Sequence, residues 1–292
     1  MLKSRRSEIT AAMVLIAPFV AIYLWLFIYP TIQMVYLTFT NAPLIGDGEW
    51  TGLKNYERLF SDRTFRRAVW NTSYFVVLTV VPGTLVALMI AMMISRLRGW
   101  LQSVILACFF LPFILPVSVV FLIWEWTFNL QFGIGQYVIE WITGERVAVF
   151  RRPAWFLPMV ALITIWWTNG FNILLFLAGL RNIPQDVYES AALDGAGRWR
   201  QFVSITWPLV WPVTVLVLTI QLILQLKIFD QVYLFSFSGR TGPTMVLVQY
   251  VYEQAFVYDK GGYAATVALA LFLIIVIFSI LQFQALRVRG EQ

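Results

Sequence analysis

Six stretches of this chain carry no charged residue: Ile9 to Gly46, Ala68 to Ser95, Gly99 to Trp124, Pro153 to Leu180, Gln201 to Leu226 and Gly261 to Leu286. A bilayer's hydrocarbon core of about 30 Å is crossed by roughly 20 helical residues, so every stretch is long enough to span. Strands of a membrane barrel would alternate in polarity over about 10 residues, whereas these runs are apolar on all sides. They therefore predict an all-α fold, a polytopic membrane bundle of about six helices forming one domain over 1–292. The spans are expected near 9–38, 68–95, 100–124, 154–178, 208–229 and 262–286, each as a single helix.

Composition narrows the chemistry. Hydrophobic residues make up 60% of the chain and charged ones 12%, against about 45–50% and about 25% in soluble domains. Histidine is absent, and the single cysteine, Cys108, lies inside an apolar run. The usual general base and the usual metal ligands are thus missing, and neither a catalytic site nor a metal site is expected. No Gly-x-x-x-x-Gly-Lys phosphate loop occurs, so ATP hydrolysis cannot be assigned to this chain. The formal charge of +6 is scattered through short segments between the runs, which suits anionic lipid headgroups rather than nucleic acid.

The first run follows Lys3, Arg5 and Arg6, but it is too long for a signal-peptide core and is read as an uncleaved span. Pro18, Pro30, Pro82, Pro112 and Pro116 interrupt the runs, and in lipid such kinks need neighbouring helices or cavity water to satisfy the freed carbonyls. With both termini inside, Lys3, Arg5, Arg6, Arg96, Arg98, Arg181, Arg198, Arg200, Arg287 and Arg289 are internal. Lys54, Arg58, Arg63, Arg66, Arg67, Arg146, Arg151, Arg152, Arg240 and Lys260 are external. The numbers are equal, but the internal segments are shorter, so basic density favours cytoplasmic termini. Asn55, Gln136 and Ser238 then face outward and Gln185 inward, and Trp124, Trp126, Tyr250 and Tyr252 read as aromatic anchors at the outer interface.

Between the fourth and fifth spans, residues 181–207 describe two short helices joined by a tight bend. Pro184 suits a first helical turn and Asp186 complements the positive helix end. Gly195 can adopt the left-handed conformation that stops a helix. Trp199, Phe202 and Val203 recur at helical spacing before Pro208 opens the next span. The first helix surrounds one carboxylate, Glu189, with the small residues Ser190, Ala191 and Ala192, as a surface that inserts into a partner's groove would.

The string Glu189-Ser-Ala-Ala-Leu-Asp-Gly-Ala196, followed by Ile205-Thr-Trp-Pro208, resembles the EAA loop of permease subunits in binding-protein-dependent ABC importers, in particular the carbohydrate-uptake branch of maltose and glycerol-phosphate type. Ser190 stands where the family has the first of two alanines after the glutamate, and Trp207 replaces a leucine. Gly52-Leu-Lys-Asn-Tyr56 is similar to the family's first outer loop, Phe229-Asp-Gln-Val-Tyr-Leu234 to the end of the fifth span, and Gly262-Tyr-Ala-Ala265 to the start of the sixth. The resemblance implies a non-catalytic subunit that pairs with a second permease, an ATPase dimer carrying ATP and Mg, and an extracytoplasmic solute-binding protein. It implies residence in a bacterial or archaeal cytoplasmic membrane. Glu189, Ser190, Ala191, Ala192, Asp194 and Gly195 would be the element that docks into the ATPase.

A solute path is suggested by two polar stripes. Gln221 and Gln225 are four apart and share a helical face, and Thr164, Thr168 and Asn172 do the same beside Trp167 and Phe171. Hydrogen-bonding groups beside flat apolar faces suit sugars, although such stripes also join helices to one another. In maltose-type permeases the matching stretches line the sugar pocket, which implies Thr168, Phe171, Gln221 and Gln225 as contacts, with Trp167 beside them as a further candidate. The alternative is a self-contained secondary transporter. It would be expected to carry ionisable groups deep in the membrane, and the six runs have none.

Overall fold

The structure, a computed structural model, describes residues 2–236 and 242–287; Ser238, Arg240 and Arg289 lie outside them. Helices α1 (Leu2–Tyr23) and α2 (Tyr29–Leu37) are joined by a π-helical turn, Leu24–Ile28. The short α3 (Lys54–Ser61) precedes the long α4 (Arg63–Ser95). Then come α5 (Trp100–Ile114), α6 (Val117–Thr127), α7 (Ile134–Thr143) and α8 (Pro153–Arg181). α9 (Gln185–Leu193) and α10 (Arg198–Gln201) lead through a second π turn, Phe202–Thr206, into α11 (Trp207–Leu226). α12 (Asp230–Phe235), α13 (Leu247–Tyr252) and α14 (Gly261–Arg287) complete the order. No β-strand occurs among the described residues.

Five helical segments are long and apolar enough to cross a membrane: 12–37, 63–95, 153–181, 198–226 and 261–284. The third run departs from the single helix expected of it, because α5 and α6 meet at 100°. Leu115 lies at φ −69°, ψ 137°, the extended conformation that a following proline imposes on its neighbour, and Pro116 has no N–H to continue the ladder. The carbonyl freed there is not left bare: Trp167 of α8 donates its indole N–H to Leu115 O at 3.1 Å. A second departure concerns 198–226, which is one continuous helical stretch. Pro208 stands in the first turn of α11 as expected, but the helical stretch continues before it through the π turn Phe202–Thr206, which widens the ladder where proline cannot donate.

The chain divides into two compact units, residues 1–62 with 250–272 and residues 63–249 with 273–292. In the first, Asn55 donates to Thr38 O at 2.9 Å and Thr40 O at 2.8 Å, and Tyr56 meets the Thr38 hydroxyl at 2.7 Å. Gly262 N–H donates to Ala42 O at 2.9 Å, and a Cβ on Gly262 would lie 2.1 Å from Thr40 O, so only glycine permits this approach. Asp62 accepts hydrogen bonds from Tyr250 and from Tyr263, the latter at 2.6 Å, and the Arg58 guanidinium lies 3.7 Å from the Tyr263 ring centre. Tyr250 is thus no interface anchor. It is 4% exposed, and burial, with the bond to Asp62, raises its pKa above the usual tyrosine value.

In the second unit α8 is the central helix. Its first half packs Phe156, Leu157, Val160 and Ile163 in an apolar cluster with Phe75, Val232, Phe235 and Val246. Its last turns pack Ile173, Phe176 and Leu177 with Ala87, Leu88, Ala91, Val210 and Val217. At Gly170 the helix passes so close to α5 that a Cβ would stand 2.3 Å from Phe109 O, the small-residue contact by which membrane helices gain dispersion energy without a hydrophobic driving force. Gln136, expected at the outer surface, is instead 1% exposed. Its amide bonds Phe128 O at 2.7 Å and Val147 O at 3.0 Å, and its carbonyl accepts from Val147 N–H at 3.2 Å. These bonds satisfy backbone groups that a loop leaves open.

Candidate functional site: an exposed hairpin and a polar waist

The segment 181–207 folds as a helical hairpin whose tip is exposed. Pro184 stands just before α9 in an extended conformation, φ −60°, ψ 139°, one position earlier than a first-turn proline, and Asp186 lies in the first turn. The helix stops in a Schellman motif. Gly195 takes φ +78°, its N–H donates to Ala192 O at 3.1 Å, and Ala196 N–H donates to Ala191 O at 2.9 Å. The legs are tied by Tyr188 to Thr206 at 2.9 Å and by the Gln201 amide to Ala196 O at 3.1 Å.

This geometry spends the hairpin's internal bonds on its shape and leaves its outer face unspent. Glu189, Ser190, Ala192, Asp194 and Gly195 are exposed and Ala191 is half-buried. Leu193 is 91% exposed. Glu189 accepts from the Gln185 amide at 2.7 Å, one turn away, which orients the carboxylate without neutralising it. A convex surface of small residues, one oriented carboxylate and one bare leucine can enter a concave partner closely, and it desolvates at low cost.

The five residues expected around a solute are placed less uniformly. Gln221 and Gln225 are 5% and 4% exposed, and the Gln225 amide donates to the Gln221 carbonyl oxygen at 3.0 Å. Thr168 donates to Thr164 O of its own helix at 2.8 Å. Phe171 stacks on Phe113 with centroids 5.5 Å apart, and Trp167 is engaged at Leu115. None of the hydrogen bonds of the α8 residues reaches the glutamine pair. Between the two apolar clusters of α8 lie the buried Thr164, Asn169 and Asn172. Asn172 donates to Asn169 at 3.1 Å while its own carbonyl oxygen finds no partner among the described residues, as does the buried Thr84 hydroxyl of α4. These polar groups fall at mid-helix, so a polar waist divides the apolar core.

Sequence reasoning missed the Asp62, Tyr250 and Tyr263 cluster. The signal available was Tyr263 inside the Gly262-Tyr-Ala-Ala265 motif, but its acceptor is far away in the chain.

A multi-span helical protein with an exposed hairpin between two spans and a polar waist within them is a membrane-embedded transport component. Over residues 83–290 the chain matches the family described as binding-protein-dependent transport system inner membrane component, and it belongs to that family. The sulfoquinovosyl glycerol transport system permease protein SmoG of Agrobacterium fabrum is 31% identical over 89% of this chain and 85% of its own. The arabinooligosaccharides transport system permease protein AraP of Bacillus subtilis is 30% identical over 91% and 85%. The fold is that of a chain in a bacterial alginate ABC transporter solved in complex with an alginate pentasaccharide-bound periplasmic protein, with TM-score 0.81, 21% identity, and 99% of this chain and 97% of that one covered. Family membership leaves no place for a self-contained secondary transporter.

Proposed function

We propose that this chain is one of two unlike permease subunits in an ATP-driven importer of sugars or oligosaccharides, and that the 185–201 hairpin transmits the ATPase's movement to the spans. The observation that carries the reading is the Schellman-terminated helix with Glu189 and Leu193 on its outer face. ATP and Mg belong to the partner ATPase dimer, and a solute-binding protein delivers the solute from outside. The solute class rests on the polar waist and on relatives named for glycosides and oligosaccharides. Trp167, Thr168 and Phe171 lie along the polar stretch of α8, and the buried pair Gln221 and Gln225 of α11 presents the polar groups best suited to a hydroxylated solute. The test is uptake into vesicles carrying this chain, the second permease and the ATPase, with ATP inside and binding protein outside. Labelled oligosaccharide should accumulate only when ATP and loaded binding protein are both present; accumulation without the ATPase would overturn the proposal.

Both termini are placed in the cytoplasm, which puts 38–62 and 128–152 outside and the hairpin inside. Because Gln136 is buried and Asn55 is engaged, reporter cysteines belong at Leu53, Trp141 and Leu193, which are 61%, 87% and 91% exposed. With the exposed Cys108 first replaced by serine, an impermeant maleimide added to intact cells should label the first two positions and spare Leu193→Cys. Labelling of Leu193→Cys from outside sinks this orientation.

A further inference from the structure

The hairpin's inner side, away from its exposed tip, closes over a groove of about 990 Å³ against the last turns of α4. Its floor is apolar, with Leu85, Leu88, Met89 and Met92 along one side of α4. Its rim holds three guanidinium groups, from Arg96, Arg181 and Arg198, and no carboxylate lies among the residues that line it. Trp199, Phe202 and Trp207 form an aromatic edge, with Trp199 76% exposed and the Trp199–Phe202 and Phe202–Trp207 centroids 5.7 Å and 6.3 Å apart. Arg181 donates to Gln102 at 2.6 Å, a neutral partner that fixes the side chain and leaves its charge uncompensated.

We propose that this groove seats one anionic phospholipid, its phosphate at the arginine rim and an acyl chain along the α4 floor. Three features favour that occupant. Three cations without a carboxylate call for an anion, and arginine binds phosphate in a bidentate fork. Leu85 and Arg96 are eleven residues apart, about 16 Å along a helix, which matches one leaflet of a hydrocarbon core about 30 Å thick. Trp199, Phe202 and Trp207 line the same groove, and such amphipathic rings favour headgroup level. A free phosphate would leave the methionine floor uncovered, and an apolar peptide would leave the arginines unpaired.

The seat lies beside the coupling element, since Gln185, which donates to Glu189, also lines it. It belongs to the cytoplasmic leaflet on the orientation proposed above. Binding measured in detergent does not depend on that orientation or on the coupling role, so failure of either leaves this proposal readable.

The assembled transporter, delipidated in detergent, is titrated with phosphatidylglycerol or phosphatidylcholine and examined by native mass spectrometry. Phosphatidylglycerol should be retained preferentially, and Arg96→Gln with Arg198→Gln should weaken that retention by about fivefold per arginine, about 25-fold together. Arg96→Lys with Arg198→Lys keeps the charge but not the bidentate fork and should recover most of the retention lost in the glutamine variant, which separates loss of the anion site from misfolding. Equal retention of the two lipids, or wild-type retention in the double glutamine variant, overturns the proposal. So does a groove that stays lipid-free in the assembled complex, because a partner chain then covers it.

Discussion

Gly195→Val is expected to cut uptake and the ATP hydrolysis stimulated by loaded binding protein while leaving the other subunits' own functions intact. The residue sits at φ +78°, and a Cβ built there meets no atom within 4 Å. A clash of the added Cβ within this chain is therefore not the cause of the effect. What changes is the backbone: a β-branched residue in the left-handed region costs about 1–3 kcal/mol, which is relieved by unwinding the Schellman turn and swinging the Glu189 face. Gly195→Asn tolerates that conformation far better and should rescue most of the activity. Glu189→Lys attacks the same contact by charge. It loses the bond from Gln185, measured at 2.7 Å, and places a cation where the ATPase is expected to offer one. Breaking one side of an interfacial charge pair costs about 2–5 kcal/mol, about thirtyfold or more in assembly. Reconstituted complexes give the measurement, with hydrolysis and uptake read side by side and solute affinity of the isolated binding protein as a control that should not move. Wild-type hydrolysis and transport in both variants would mean that the hairpin is only a surface connection.

Much of this architecture was legible in the sequence because membranes reduce the problem to lengths and charges. The uncharged runs located the helices α4, α8 and α14 to within about five residues, since Arg67, Arg96, Arg181 and Arg287 bound the apolar runs. Gly195 was legible for a local reason: one residue type readily supplies a positive φ after a run of small helix formers. The 100° bend between α5 and α6 was not, although Pro116 stood in plain view. Pro82 and Pro158 lie inside helices that continue past them, so proline alone does not choose between kink and break. The difference at Leu115 is a distant partner, the Trp167 indole, which no local pattern reveals. Gln136 and Tyr250 were misplaced for the same reason. A polar or amphipathic residue in an outer segment reads as surface until the carbonyls or the Asp62 carboxylate that engage it are known. The hairpin's exposed face could be read from composition, whereas the groove behind it depends on Arg96, Arg181 and Arg198 converging from three segments.

Replacing Gln221 and Gln225 together is expected to impair transport more than it impairs the fold, and the pairing of the two residues makes that test decisive. Their amides bond each other at 3.0 Å in a site that is 5% and 4% exposed. Gln225→Leu alone strands the Gln221 carbonyl oxygen, and Gln221→Leu alone strands the Gln225 amide. An unsatisfied buried polar group costs about 1–3 kcal/mol, so each single variant should lower the melting temperature of the assembled transporter whatever the pair does in function. The double variant removes both partners at nearly constant volume, and such a swap is close to neutral for stability. A purely structural pair therefore predicts that the second substitution restores both melting temperature and uptake. A pair that turns its remaining hydrogen-bonding capacity toward a solute predicts that stability returns while uptake does not. Loss of two neutral hydrogen bonds to the solute is about 1–3 kcal/mol, or about fivefold or more in uptake at low solute concentration. Binding-protein-stimulated hydrolysis should persist in that variant, because the 185–201 hairpin is untouched. Recovery of wild-type uptake in the double variant would falsify the assignment of Gln221 and Gln225 to the solute path, leaving Asn172 and Thr84, whose buried oxygens have no partner among the described residues, as the polar groups of the waist still available to line it.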